Sequence, residues 1–267
     1  MLKPTPIDEV LTQAAPEPRW LAKGVFPRGT LMTLGGEQGA GKSTLCYGLA
    51  YAVVLGLPFL GYPTEPTTVC YFDEENSPID FQKYNQRIWQ GLGAPALDRI
   101  RPHLHLFHFA MQGGWKEAML EVACTLKPGL IVIDTATPVL QIQDENDNSE
   151  ASRAIQALRA VQKAASNDTS ILILKHEKQR DEKGHRRTIR GAKVWLGAVD
   201  RTFYHIIPRG CRERKDGLRR TALVPDKLRS FGLESPIIID PSWTDVHRTG
   251  LIFKGYSAPA KGDDDED

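Results

Sequence analysis

Residues Gly36-Glu37-Gln38-Gly39-Ala40-Gly41-Lys42-Ser43 read G-x-x-x-x-G-K-S, and no other stretch of the chain restricts its fold so tightly. Glycines at 36, 39 and 41 open backbone conformations closed to other residues. Successive N–H groups can then point inward around a polyphosphate, at the positive end of the helix that follows. Lys42 carries a charge to the outer phosphates, and Ser43 offers a hydroxyl to Mg²⁺. The motif needs a strand before it and a helix after it. Thr30-Leu31-Met32-Thr33-Leu34 is β-prone and apolar, and residues 44–54 (TLCYGLAYAVV) are largely apolar and read as a buried helix. A site for ATP with Mg²⁺ is therefore expected, lined by Gly36, Gln38, Gly39, Ala40, Gly41, Lys42, Ser43 and Thr44.

The 267 residues suit one large α/β domain, and 41% hydrophobic content is enough for a core. No apolar run approaches the roughly 18–20 residues that span a bilayer. The first six residues hold no apolar signal core. Cys46, Cys70, Cys124 and Cys211 form no C-x-x-C pair, which excludes a zinc ribbon or redox motif. These features lead us to expect a cytoplasmic protein. The formal net charge of +1 hides an asymmetry: without the five acids of residues 263–267 it is +6. A basic body is compatible with a nucleic-acid partner.

Along the chain, residues 1–19 carry prolines at 4, 6, 16 and 18 and read as a lead-in with a short helix over residues 7–14. Residues 20–257 read as one ATPase domain, and residues 258–267 as a disordered acidic tail. Apolar strands are expected at residues 30–34, 69–72, 104–109, 130–133 and 171–174. Helices are expected at 78–89, 115–126 and 149–165, the first opened by Ser77 as N-cap and Pro78 behind it. Continuous apolar strands separated by helices predict a mostly parallel twisted sheet flanked by helices. Residues 202–207, 221–224, 236–239 and 251–253 add antiparallel strands toward the C-terminus. The polar stretch 209–220 (RGCRERKDGLRR) reads as a solvated hairpin tip.

Three further groups bear on phosphate chemistry. Asp134 ends the apolar run 130–133, at the strand end that faces the ligand crevice of a parallel sheet, and is expected to orient the Mg²⁺ shell. Asp73-Glu74-Glu75 follow another buried strand, and a carboxylate there can align the attacking water. Spacing does not choose between Glu74 and Glu75. His176 follows the strand at 171–174 and is placed to touch the γ-phosphate or the catalytic carboxylate.

Taken together, these pieces resemble the RecA-like P-loop ATPases of the hexameric replicative helicase group, and within it the compact plasmid RepA-type motors. The resemblance runs from about Pro18 to about Gly232. The alignment it implies selects Glu75 as the catalytic glutamate and residues 130–135 as the Walker B strand. His176 falls on the strand-end histidine, Arg190-Gly191-Ala192 on an R-G-x stretch, and Asp200 on the aspartate downstream. Lys227-Leu228-Arg229 resembles a K-x-R element in which a lysine and an arginine reach a neighbouring subunit's nucleotide. By that resemblance Arg229 is the finger, Lys227 stands beside it, and Arg201 is the fallback. By that resemblance a bare motor is expected, without the primase-interacting domain of the larger helicases.

Residues 175–193 (KHEKQRDEKGHRRTIRGAK) hold eight Lys/Arg against three acids and no Phe, Tyr or Trp. In a ring this segment matches the pore loop, so Lys178, Arg180, Lys183, Arg186, Arg187 and Arg190 are expected to contact single-stranded DNA through its phosphates. The expectation is an Mg²⁺-ATP-dependent hexameric helicase acting with replication or recombination partners. The alternatives are a recombination ATPase forming filaments on DNA, or a nucleotide-switched regulator that does not touch it.

Overall fold

The computed structural model describes residues 4–14, 17–109, 113–177, 189, 191, 193–228 and 232–257. In chain order the elements are α1 (Ile7–Thr12), β1 (Trp20–Ala22), β2 (Phe26–Pro27), β3 (Leu31–Gly36), α2 (Lys42–Leu55), β4 (Val69–Asp73), α3 (Pro78–Gly91), β5 (Leu104–His108), α4 (Trp115–Leu126), β6 (Leu130–Asp134), α5 (Ala136–Val139), α6 (Asn148–Ala165), β7 (Ser170–His176), α7 (Val194–Ala198), β8 (Arg201–Ile206), β9 (Thr221–Leu228), β10 (Ile237–Trp243) and β11 (Leu251–Ser257).

Nine strands form one sheet in the order β11-β10-β9-β8-β3-β7-β6-β4-β5. The six from β8 to β5 are mutually parallel, and β9, β10 and β11 continue the sheet with antiparallel pairing. Strand β8 joins the two halves, since it runs parallel to β3 and antiparallel to β9.

Both faces of the sheet are covered, and the strands show it residue by residue. Along β6, Leu130 and Val132 pack with α2 and α3, while Ile131 and Ile133 pack with α4, α5 and α6. Adjacent side chains on a strand point to opposite faces, so an unbroken apolar run is what a doubly covered strand requires. Helix α2 is buried from Leu45 to Val54, as its nearly continuous apolar sequence demands. Gly56 ends it in the left-handed conformation that glycine adopts without strain. Ser77 caps α3 by accepting from the Asp80 N–H (3.1 Å), with Pro78 in the first helical position. Asp147 caps α6 through the Ser149 and Glu150 amides, and Ile155, Leu158, Val161 and Ala165 give that helix its buried stripe.

The stretch 209–220 is not a freely solvated tip. Arg214 pairs with Asp240 on β10 (2.7 Å) and donates to the Pro241 carbonyl, and Arg220 reaches the same carboxylate (3.1 Å). The Trp243 indole N–H donates to the Asp216 carbonyl (3.0 Å). Arginines of the connection face an acid on the neighbouring strand, so the loop folds back over the sheet.

For function, the decisive consequence is one shared edge. Gly36, Asp73, Asp134 and His176 all end parallel strands, with Gly36 opposite His176 and Asp73 opposite Asp134 in the strand register.

Candidate nucleotide-hydrolysis site

The turn from β3 into α2 holds Gly39 at φ 75° and Gly41 at φ 87°, where a side chain would strain the backbone. Gly36 needs to be glycine for another reason. It is extended, and a Cβ there would stand 2.5 Å from the His205 carbonyl oxygen and 3.2 Å from the Lys42 chain. Gly36 therefore corrects the expectation of a backbone turn at that position: it is a close-approach glycine. Ala40 also departs from expectation, since it is buried and its N–H donates to the Glu37 carbonyl (3.2 Å).

A cleft of about 290 Å³ opens above this turn. Gln38, Gly39, Gly41, Lys42, Ser43 and Thr44 line one side, and Glu75, Asn76, Tyr84 and His176 the other. The Lys42 ammonium donates to the carbonyls of Gly36 and Glu37 (both 3.1 Å). Burial lowers its pKa, and the charges of Glu75 and Asp134 oppose that shift.

Asp134 is fully buried at the end of β6. Its Oδ2 accepts from the Tyr71 hydroxyl (2.7 Å), whereas Oδ1 is buried without a partner of ordinary hydrogen-bond geometry. Burial, then the charge of Asp73, pushes its pKa up to about 7; the Tyr71 and Ser43 hydroxyls act the other way. The peptide between Asp134 and Thr135 is cis.

Glu75 and His176 meet across the cleft, with His176 Nε2 3.2 Å from Glu75 Oε1. That hydrogen bond is the main reason the Glu75 pKa lies below the usual range; burial opposes it, and the His176 charge, the Thr135 hydroxyl and Lys42 reinforce it. Glu75 is thus an ionised carboxylate facing the phosphate loop. Glu74 is placed differently: it does not line the cleft, and its N–H donates to the Asp134 carbonyl (2.9 Å).

The residues fit Mg²⁺-ATP. Asp134 has a buried carboxylate oxygen without a partner of ordinary hydrogen-bond geometry, the desolvated Lys42 is close enough to feel its charge, and two left-handed glycines shape the loop. Among the described residues no group of three or more His, Cys, Asp or Glu forms a metal cage. Mg²⁺ takes most of its shell from phosphates and water. Bound there, Mg²⁺ would neutralise developing charge on the β- and γ-phosphates. Ser43 and Asp134 would hold its shell, Lys42 would face the outer phosphates, and Glu75 would orient the attacking water.

The profile of the AAA domain family matches residues 1–182. This chain belongs to the AAA domain family. The AAA domain here is a nucleotide-hydrolysing P-loop ATPase with a RecA-like fold. Among solved structures, the flagellar accessory protein FlaH from Methanocaldococcus jannaschii aligns with a TM-score of 0.54 at 13% identity. The alignment covers 85% of this chain and 90% of FlaH, and at that identity it speaks for the fold alone. No curated protein sequence matches. No helix among the described residues of the AAA domain is long and apolar enough to cross a membrane.

Other expected positions fall elsewhere. Arg229, Lys178, Arg180, Lys183, Arg186, Arg187 and Arg190 lie outside the described residues, as does the tail 258–267. Lys227 lies far along β9, paired with Thr202, and its ammonium donates to the carbonyls of Leu196, Gly197 and Val199 (2.6–2.8 Å). Its charge thus closes the C-terminal end of α7. Arg201 does not serve as a fallback finger, because it is 2% exposed within the sheet. Asp200 accepts from the Leu31 N–H and from Arg159 (both 2.8 Å), at the sheet end opposite the cleft.

Sequence reasoning passed over four side chains at the site. Tyr47 and Tyr71 stack with centroids 4.3 Å apart and donate to Asp73 and Asp134. Both were hidden in runs that read as core. His205 lies beneath Gly41, with Nε2 2.8 Å from the Thr221 hydroxyl, and burial lowers its pKa to about 3. It is therefore a neutral ring under the loop. Asn76, next to Glu75, was the one with a signal, as the polar residue ending the acidic run.

Proposed function

We propose that this AAA ATPase is the subunit of a ring-shaped, hexameric motor that moves on single-stranded DNA. The supporting observation is the Glu75–His176 contact. His176 ends β7, and the basic segment 178–193 continues directly from it, with its base drawn together by the bridge between Glu177 and Ile189. A phosphate backbone held by that segment acts on a residue that touches the water-aligning carboxylate. Hydrolysis and DNA contact then bias one another through a single strand end. Arg229 completes the site of the adjacent subunit, where a cation stabilises the transferring phosphoryl group. Replication is the process this activity serves.

The test is the ATPase rate with and without single-stranded DNA over a salt series, with particle mass by light scattering. Stimulation by DNA that fades steeply with salt, in a closed oligomer, is expected. Mixing Arg229→Ala with Glu75→Gln subunits restores part of the turnover if the arginine acts across the interface. Full activity as a monomer, indifferent to DNA, overturns the reading. Open helical assemblies that pair strands without unwinding replace it with a recombination filament.

A specific observation favours the regulator without DNA. Asp144, Glu145 and Asp147 lie in the loop before α6, and Gly191 packs so closely there that a Cβ would stand 2.6 Å from the Glu145 carbonyl. Acids beside the base of the basic segment repel a phosphate backbone. In this reading nucleotide turnover switches a protein assembly, a role compatible with that of FlaH as a flagellar accessory protein. Unchanged ATPase across all DNA concentrations selects it.

A further inference from the structure

Asp73 ends β4 beside Asp134 and is fully buried. A second buried carboxylate at this edge is unfavourable by desolvation and by like charge, so its hydrogen bonds must compensate. Oδ1 accepts from the N–H groups of Glu75 (3.0 Å) and Asn76 (2.9 Å). Oδ2 accepts from the Asn76 side-chain amide (2.8 Å) and from the Tyr47 hydroxyl (2.5 Å). Asp73 does not line the cleft. Three of its bonds hold the turn that carries Glu75. The fourth comes from α2, the helix that begins with Lys42 and Ser43.

We propose that Asp73 is a positioning residue for ATP hydrolysis. It locks the backbone of Glu75 and Asn76 into one turn and, through Tyr47, ties that turn to the phosphate-binding helix. The water-aligning carboxylate and the phosphate loop then keep one spacing. The Tyr47 ring is itself fixed, because it stacks at 12° on Tyr71, whose hydroxyl holds Asp134. A single aromatic pair therefore sets both carboxylates against α2. The inference rests on Glu75 as the group that orients water.

Four single variants, Asp73→Ala, Asp73→Asn, Tyr47→Phe and Glu75→Gln, and the double variant Asp73→Ala with Glu75→Gln test it. The readouts are kcat and KM for Mg²⁺-ATP, with thermal melting as a folding control. Misplacing a catalytic group by an ångström is worth up to about a hundredfold in rate, so Asp73→Ala lowers kcat by about ten- to a hundredfold while KM stays within about threefold. Asp73→Asn keeps an acceptor for the Glu75 and Asn76 N–H groups but turns the second oxygen into a donor facing the Asn76 amide and the Tyr47 hydroxyl, so it recovers part of the rate although its charge is gone; this separates geometry from the loss of the charge beside Asp134. Tyr47→Phe keeps the ring stack and lowers kcat several-fold. In the Glu75→Gln background, Asp73→Ala lowers single-turnover hydrolysis no further.

Glu75→Gln hydrolysing at the parent rate removes the reading of Glu75 itself. With Glu75→Gln slow, three outcomes overturn the role of Asp73: parental kcat in Asp73→Ala, multiplying effects in the double variant, or an Asp73→Asn as slow as Asp73→Ala. Should Asp73→Ala melt below the assay temperature, parental kcat in Tyr47→Phe overturns it instead.

Discussion

The phosphate edge of the sheet and its antiparallel wing handle charge in opposite ways. At the edge, Lys42, Asp73 and Asp134 are buried within one cluster, over the neutral ring of His205. In the wing, Arg214, Arg219, Arg220 and Asp240 form ion pairs at the surface, where water shares the load. Burying ionisable groups costs stability that an apolar core would not, and exposed pairs contribute little either way. A fold that concentrates the costly arrangement at one strand end has placed chemistry there. The wing closes the sheet over α2, where Phe253 packs 3.1 Å from the Cβ position of Gly48.

The sharpest break in this comparison is Lys42→Ala. Removing the buried cation should lower kcat/KM for ATP by at least about a hundredfold and abolish nucleotide binding in a fluorescence titration with Mg²⁺. Next in size is Asp134→Asn in metal-free buffer. The folded carboxyl keeps its proton up to about pH 7, the unfolded one only up to about pH 4. Between those values the folded state holds more protons, so stability falls as pH rises. The variant lacks that slope. Its melting temperature should therefore rise relative to the parent between pH 4 and 7, by an equivalent of at most about 4 kcal/mol, and Mg²⁺-ATP should narrow the gap.

A smaller effect is expected at His176→Ala. Its hydrogen bond is the main influence holding the Glu75 pKa down, so its removal moves the acid limb of the kcat–pH profile to higher pH. The smallest effect belongs to the wing. Arg214→Ala should change stability by no more than about 1 kcal/mol and leave ATP turnover at the parent rate. A large loss of turnover there would erase the contrast between the two regions.

Much of the architecture was readable from local patterns. The apolar runs at 69–72, 130–133 and 171–174 are strands covered on both faces, and Ser77-Pro78 opens α3. Helices α5 and α7 were not foreseen, because four or five residues hold barely one turn, too short for a periodic signal. By sequence the wing loop reads as solvated, because its partner, Asp240, lies 20 residues beyond Arg220 on another strand.

The amino-acid order alone determined the phosphate loop, the capped helices and the alternation of strand and helix, since each is written within a few neighbouring residues. Tertiary structure alone decided that Asp73 stands beside Asp134, that Gly36 must clear the His205 carbonyl, and that Lys227 caps α7. These depend on which strands become neighbours in the sheet. Strand order is set by the packing of helices over both faces, and no local period of the chain records it.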